Sequence, residues 1–178
     1  MLKNDAGKRF VDVTEATGTG HLQKGHGVAF ADLDNDGDED VVLNVGGAVP
    51  GDAYFDALFA NPGGSGNNWI SVKLVGVRTN RAAIGAKITV TLGRAGGASP
   101  IRMREVTSGG SFGSNSFVQH IGLGRAKVIE TLDIWWPVSK THQTFHQVPV
   151  NQFLEIREGA ERYETRKLPP PFAIGGGS

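Results

Sequence analysis

The window Asp32-Leu33-Asp34-Asn35-Asp36-Gly37-Asp38-Glu39-Asp40 constrains this chain more than any other stretch. It holds six of the 18 acidic residues. Carboxylates so crowded repel one another unless a cation holds them or water solvates them fully. A solvated turn needs two or three Asp, Asn or Gly residues, whereas here five aspartates alternate along the chain. Calcium takes six to eight hard oxygen ligands at about 2.3–2.6 Å. Alternate residues of a coiled loop, Asp32, Asp34 and Asp36, can point inward to such an ion. Gly37 permits the sharp turn after them, the backbone carbonyl of Asp38 comes next, and Asp40 closes the cage. The spacing therefore predicts one Ca2+ held by Asp32, Asp34, Asp36, Asp38 and Asp40.

The loop is not an EF-hand, which needs a bidentate Glu at its twelfth position and a helix on each side. The twelfth residue here is Leu43, within the β-branched run Val41-Val42-Leu43 that reads as a buried strand. The preceding Gly27-Val28-Ala29-Phe30-Ala31 is also short, apolar and bounded by glycine. The acidic loop therefore joins two strands.

Period two dominates the rest of the chain. Strand candidates before a turn-forming break at 61–68 are 10–13, 27–31, 40–45 and 57–60. After it, Ile70, Val72 and Leu74 alternate with Ser71 and Lys73, and Ile88, Val90 and Leu92 with Lys87, Thr89 and Thr91. Further candidates are 101–107, 117–123, 128–136, 142–148 and 153–157, and no stretch shows a convincing helical repeat. The 26 glycines among 178 residues, about twice ordinary usage, suit many turns between short strands. The expected fold is all-β, with a core drawn from Ile70, Val72, Leu74, Ile88, Val90, Leu92, Val128, Leu132, Ile134, Leu154 and Ile156. Balanced charge gives no global field for nucleic acid. No apolar run approaches the length of a membrane span. The absence of cysteine removes disulfides and thiolate chemistry together.

Two stretches resemble known families. Phe10-Val11-Asp12-Val13-Thr14, then the run from Gly25 through Asp38 and the later Leu58-Phe59-Ala60-Asn61, resembles one FG-GAP/VCBS repeat. Farther on, Asn68-Trp69-Ile70, Asn80-Arg81, Ile84-Gly85-Ala86-Lys87-Ile88, Ser108-Gly109-Gly110, His120-Ile121-Gly122-Leu123-Gly124, Ile134-Trp135-Trp136-Pro137 and Val148-Pro149-Val150-Asn151-Gln152 resemble an ASPIC/UnbV domain. The resemblance implies one four-stranded propeller-type blade with a calcium loop over residues 1–62. An antiparallel β-sandwich or barrel is expected over 69–158, and an extended tail over 159–178. It also implies a C-terminal part of a longer extracellular or periplasmic repeat protein, although Met1-Leu2-Lys3-Asn4-Asp5 lacks the apolar core of a signal peptide. Partners of such a module would be the remaining blades, another protein or a second copy. A lone blade leaves sheet edges and an apolar face uncovered.

Catalytic signals are weak. His142 and His146 are four apart on a strand, hence about 13 Å from each other and unable to share one zinc. His21 and His26 flank a Gly/Lys loop, and Ser108, Ser111, Ser114 and Ser116 lie in a Gly/Ser loop without an inferable base. The chain therefore reads as non-enzymatic. The alternative function is glycan binding through an exposed aromatic, Trp135 or Trp136. These neighbours face opposite sides of a strand, so only one of them is available.

Overall fold

The structure, a computed structural model, describes all residues except 48, 64–65, 94–98, 111–115 and 171–178. Thirteen strands and no helix are found among the described residues, so none contains a helix able to cross a membrane. Ser111, Ser114 and the end of the expected tail lie outside the described residues.

Two four-stranded sheets make the body of the molecule. The first comprises β6 (Asn68–Val75), β9 (Val118–Gly124), β12 (Gln152–Arg157) and β13 (Glu164–Arg166), in the order β13-β12-β6-β9. The second comprises β7 (Lys87–Leu92), β8 (Ile101–Glu105), β10 (Val128–Trp136) and β11 (Thr141–Pro149), in the order β11-β10-β7-β8. Alternation carries Ile70, Val72, Leu74, Ile121, Leu154 and Ile156 from one sheet, and Ile88, Val90, Leu132, Ile134 and Trp136 from the other, into a single buried cluster. The sheets are open, so the body is a sandwich without a closed barrel. One pairing departs from the expected antiparallel pattern: β12 runs parallel to β6, with Leu154 beside Val72.

One expected core residue is displaced. Val128 is half-buried, and its neighbour Ile129 is fully buried instead. The cause is a register shift between Ile129 and Thr131 where β10 pairs with β7. A bulge inserts one residue, so the inward positions run Ile129, Leu132, Ile134. The tail also contributes to the sandwich. β13 adds an antiparallel edge strand to β12, and the Tyr163 ring meets Phe145 edge-on at 5.4 Å.

The N-terminal part does not form a four-stranded sheet. β3 (Gly25–Ala31), β4 (Asp40–Val45) and β5 (Ala57–Phe59) make a three-stranded antiparallel sheet in that order. The strand expected at 10–13 is instead β2 (Arg9–Asp12), which pairs only with β1 (Leu2–Asp5). A local turn decides this. Ala6 and Gly7 both have positive φ, 52° and 76°, the primed geometry that matches hairpin twist. The Asn4 side chain accepts the Gly7 N–H at 2.7 Å, and the Asp5 carbonyl accepts the Lys8 N–H at 3.0 Å. So short a turn carries a small loop-closure cost, which favours this local pairing over a long-range one.

Candidate metal centre and its seat on the sandwich

The acidic loop leaves β3 at Ala31 and returns as β4 at Asp40. Asn35 and Gly37 take positive φ, 62° and 95°, and coil the chain between them. Asn tolerates this region well, and Gly without penalty. The coil aims three carboxylates at one point. One oxygen each from Asp32, Asp34 and Asp36 lies within 4.8 Å of the others. Local amides hold them there: Gly37 N–H donates to Asp32 Oδ2 (3.1 Å), Asp36 N–H to Asp34 Oδ1 (3.2 Å) and Asp38 N–H to Asp36 Oδ1 (2.9 Å).

Asp40 is 1% exposed and closes the loop differently. Its Oδ2 accepts the Leu33 N–H at 3.0 Å and its Oδ1 the Asn61 N–H at 2.8 Å, which ties the start of the loop to the segment after β5. The Asp38 side chain is not among the three convergent carboxylates.

The donor set suits a hard cation, being all oxygen and all anionic. Asp32 Oδ1 supports the fit, since it is buried and has no hydrogen-bond partner. Burial pushes the Asp32 carboxyl above its ordinary range, and Asp36 and Asp34 push the same way. The nearby His120 and the Gly37 N–H oppose them. A bound cation would reverse that penalty by compensating the charge.

The loop does not stand free of the sandwich. Trp69 and Ser71 of β6, His120 of β9 and Phe153 of β12 lie on the outer face of the first sheet, by alternation from the buried Ile70, Val72, Ile121 and Leu154. Gly37 sits directly on the Trp69 indole, and a Cβ there would overlap the ring. Trp69 in turn stacks on His120, with centroids 5.3 Å apart and planes inclined by 22°. Ser71 opposite His120 is only 8% exposed, and its hydroxyl lies 3.0 Å from His120 Nδ1. A cavity of about 180 Å3 between loop and sheet is lined by Asp32, Ser71 and His120 among others.

Sequence spacing did not foreshadow this gathering. Ser71 and His120 are 49 residues apart and meet only through the β6–β9 register. His142 likewise finds a carboxylate, with Nδ1 2.8 Å from Asp133 Oδ2 across β10 and β11. The other candidates are placed as follows. His21 meets Tyr54 edge-on at 5.8 Å, and His26 Nε2 is buried without a partner. Trp136 is fully buried and donates from Nε1 to Gln143 at 2.9 Å, while Trp135 lies under the Lys87 ammonium at 5.5 Å. The two tryptophans form no shared platform.

A second polar centre had no sequence signal. Glu158 Oε2 accepts the backbone N–H groups of Val77, Arg78 and Thr79 at 2.7, 2.7 and 2.8 Å. Its Oε1 accepts the Thr79 and Ser139 hydroxyls at 3.0 and 2.7 Å. Burial alone would raise its pKa, but these donors outweigh burial and hold the carboxyl down at about 2. Glu158 thereby fixes the turn that follows Gly76, where a Cβ would overlap the Asn80 and Thr79 carbonyls.

Residues 76–162 match the family model described as ASPIC and UnbV. The match covers just under half of the chain. It takes in β7 to β12, the Glu158 centre and Tyr163's neighbour Arg162, and it excludes β6 and the acidic loop. The ASPIC/UnbV resemblance read from the sequence motifs is thus matched over residues 76–162. No curated protein matches the chain.

Proposed function

We propose that this chain is a calcium-stabilised interaction module that works through its surfaces, without catalysis, outside the cytoplasm. The observation that carries the reading is the convergence of Asp32, Asp34 and Asp36, of which Asp32 keeps one buried oxygen without a hydrogen-bond partner. Asp32, Asp34 and Asp36 would hold the ion by side chain, with the loop backbone completing the shell. Bound calcium would supply charge compensation and a local cross-link between β3 and β4. Because Gly37 rests on Trp69, order in the loop also bears on how the N-terminal sheet seats on the sandwich.

The FG-GAP/VCBS-like motif supports the calcium assignment and a place within a longer repeat protein. The three-stranded sheet supports the interaction role. Val45 is the only buried large apolar residue of the described part of 1–62, while Phe30, Phe55 and Leu58 are exposed. A sheet so poorly cored asks for neighbouring blades, a protein partner or a second copy.

Differential scanning of the calcium-loaded protein tests the reading. Excess chelator should lower the melting temperature by about 5–10 °C, the scale expected for a ligand near 100 times its Kd. Asp36→Ala should melt lower by a similar amount and show no further response to chelator. Identical curves with and without chelator, after calcium loading is verified by elemental analysis, would remove the stabilising role.

A further inference from the structure

The outer face of the first sheet carries a second feature beyond the seat of the acidic loop. Farther along the same strands lies a cavity of about 560 Å3, the size of a small-molecule site. Its floor is the rigid sheet: Lys73 on β6 stands in register with Glu155 on β12, and Arg157 follows two residues on along the same face. Arg166 on β13 forms one side, and Arg81 and Arg162 complete the rim. Five cationic side chains thus face two carboxylates, Glu155 and Glu164, in a chain whose net charge is zero.

The balance is more one-sided than that count. Glu155 pairs with both Lys73 (3.2 Å) and Arg166 (2.6 Å), so one carboxylate already serves two cations. Among the described residues, the guanidiniums of Arg81, Arg157 and Arg162 have no carboxylate within ion-pair distance. Arginine presents a planar fork of donors matched to two-oxygen anions such as carboxylate, sulfate and phosphate. The half-exposed Phe117 ring at the cavity offers an apolar face beside them.

Placement of Arg81 is not left to chance. Glu158 clamps the backbone of Val77, Arg78 and Thr79, and the Arg81 carbonyl accepts the Gly76 N–H at 3.2 Å. The turn that delivers this guanidinium is therefore pinned to the end of β12, the strand that supplies Arg157. Pre-ordered donors on a stiff support are what a binding site requires.

We propose that this cavity binds a small-molecule-sized ligand carrying at least two oxyanion groups, with Arg81, Arg157 and Arg162 as the recognising cations. The site is separate from the acidic loop and independent of calcium. Two probes distinguish a multivalent ligand from a single free oxyanion: a trisulfated heparin disaccharide and inorganic sulfate, each titrated calorimetrically into the full chain at low salt. The disaccharide should bind at least about ten-fold tighter than sulfate and weaken as salt rises. The double variant Arg157→Ala/Arg162→Ala should lose about ten-fold or more in affinity, whereas Arg102→Ala/Arg104→Ala on β8 should keep it. Shifts of the Arg81, Arg157 and Arg162 side-chain N–H resonances in the unmutated protein locate the contact without relying on any variant's folding. Equal affinity for sulfate, equal loss in the β8 variant, or no disaccharide binding at millimolar concentration would each overturn the proposal.

Discussion

Glu158 and the aspartates of the loop are both carboxylate centres, yet they solve opposite problems. Glu158 has more donors than an exposed carboxylate finds in protein, five in all, and so stays ionised at low pH. Asp32 has too few, with one oxygen buried and unpartnered. The pH consequence of Glu158 has a definite sign. Its folded pKa lies near 2, below the ordinary 4.5, so its contribution is fully present above about pH 4.5 and is lost as pH falls toward 2. Glu158→Gln should cost roughly 1–3 kcal/mol at pH 7, because a neutral amide loses the charge-assisted bonds and meets the five donors with one accepting oxygen where the carboxylate offers two. The variant should also lose less stability than the parent between pH 4.5 and 2. Urea midpoints of both proteins across that window check this, and parallel curves would assign the acid response to other groups. Only one of these centres was legible beforehand. The aspartates announce themselves by alternation within one loop, whereas Glu158 meets backbone amides about 80 residues away, which no side-chain spacing encodes.

At the scale of elements, alternation located β6, β7, β10 and β12 because each has one buried and one outer face, whereas β8 is exposed along its length. It failed where the period itself was broken. The β10 bulge moves the inward position from Val128 to Ile129, and a one-residue slip exchanges faces. It was also silent on partners: nothing in Leu154 and Ile156 marks β12 as parallel to β6, since chain direction leaves no trace in a two-residue period. β13 escaped because three exposed residues, Glu164, Thr165 and Arg166, carry no apolar signature; pairing with β12 and the Glu155–Arg166 ion pair hold it. These elements set a boundary that can be tested. A fragment of residues 69–170 should unfold cooperatively with a β-type circular dichroism spectrum, since the buried cluster lies wholly within it. Shortening it to 69–158 removes β13 and the Tyr163–Phe145 contact, and should cost roughly 1–3 kcal/mol. A disordered 69–170 fragment would show instead that the sandwich depends on the N-terminal sheet.

Across the whole molecule, one sheet face organises what the chain offers its surroundings. The outer surface of β12, β6 and β9 receives the acidic loop at its Trp69–His120 end and presents the arginine cavity at its Lys73–Arg157 end. Anionic and cationic features are thus held apart on one rigid support, which keeps the loop carboxylates from neutralising the arginines. The N-terminal sheet is the complementary case. Phe30, Val41 and Phe59 share one of its faces, and Phe30 lines the cavity over Ser71 and His120. The register puts Ala29, Val42 and Leu58 on the opposite face, where Leu58 is 47% exposed, and Phe55 before β5 is 93% exposed. Strands β3 and β5 are also sheet edges with unpaired backbone groups. An apolar face flanked by two open edges favours contact with another blade or another copy. The isolated chain should therefore self-associate weakly as concentration rises, and Leu58→Ser together with Phe55→Ser should return it to monomer without loss of thermal stability. Light scattering coupled to size exclusion, with calcium held constant, reads the outcome directly. A strict monomer at high concentration in the parent protein would mean that this face needs no partner, and association that persists in the double variant would place the contact elsewhere.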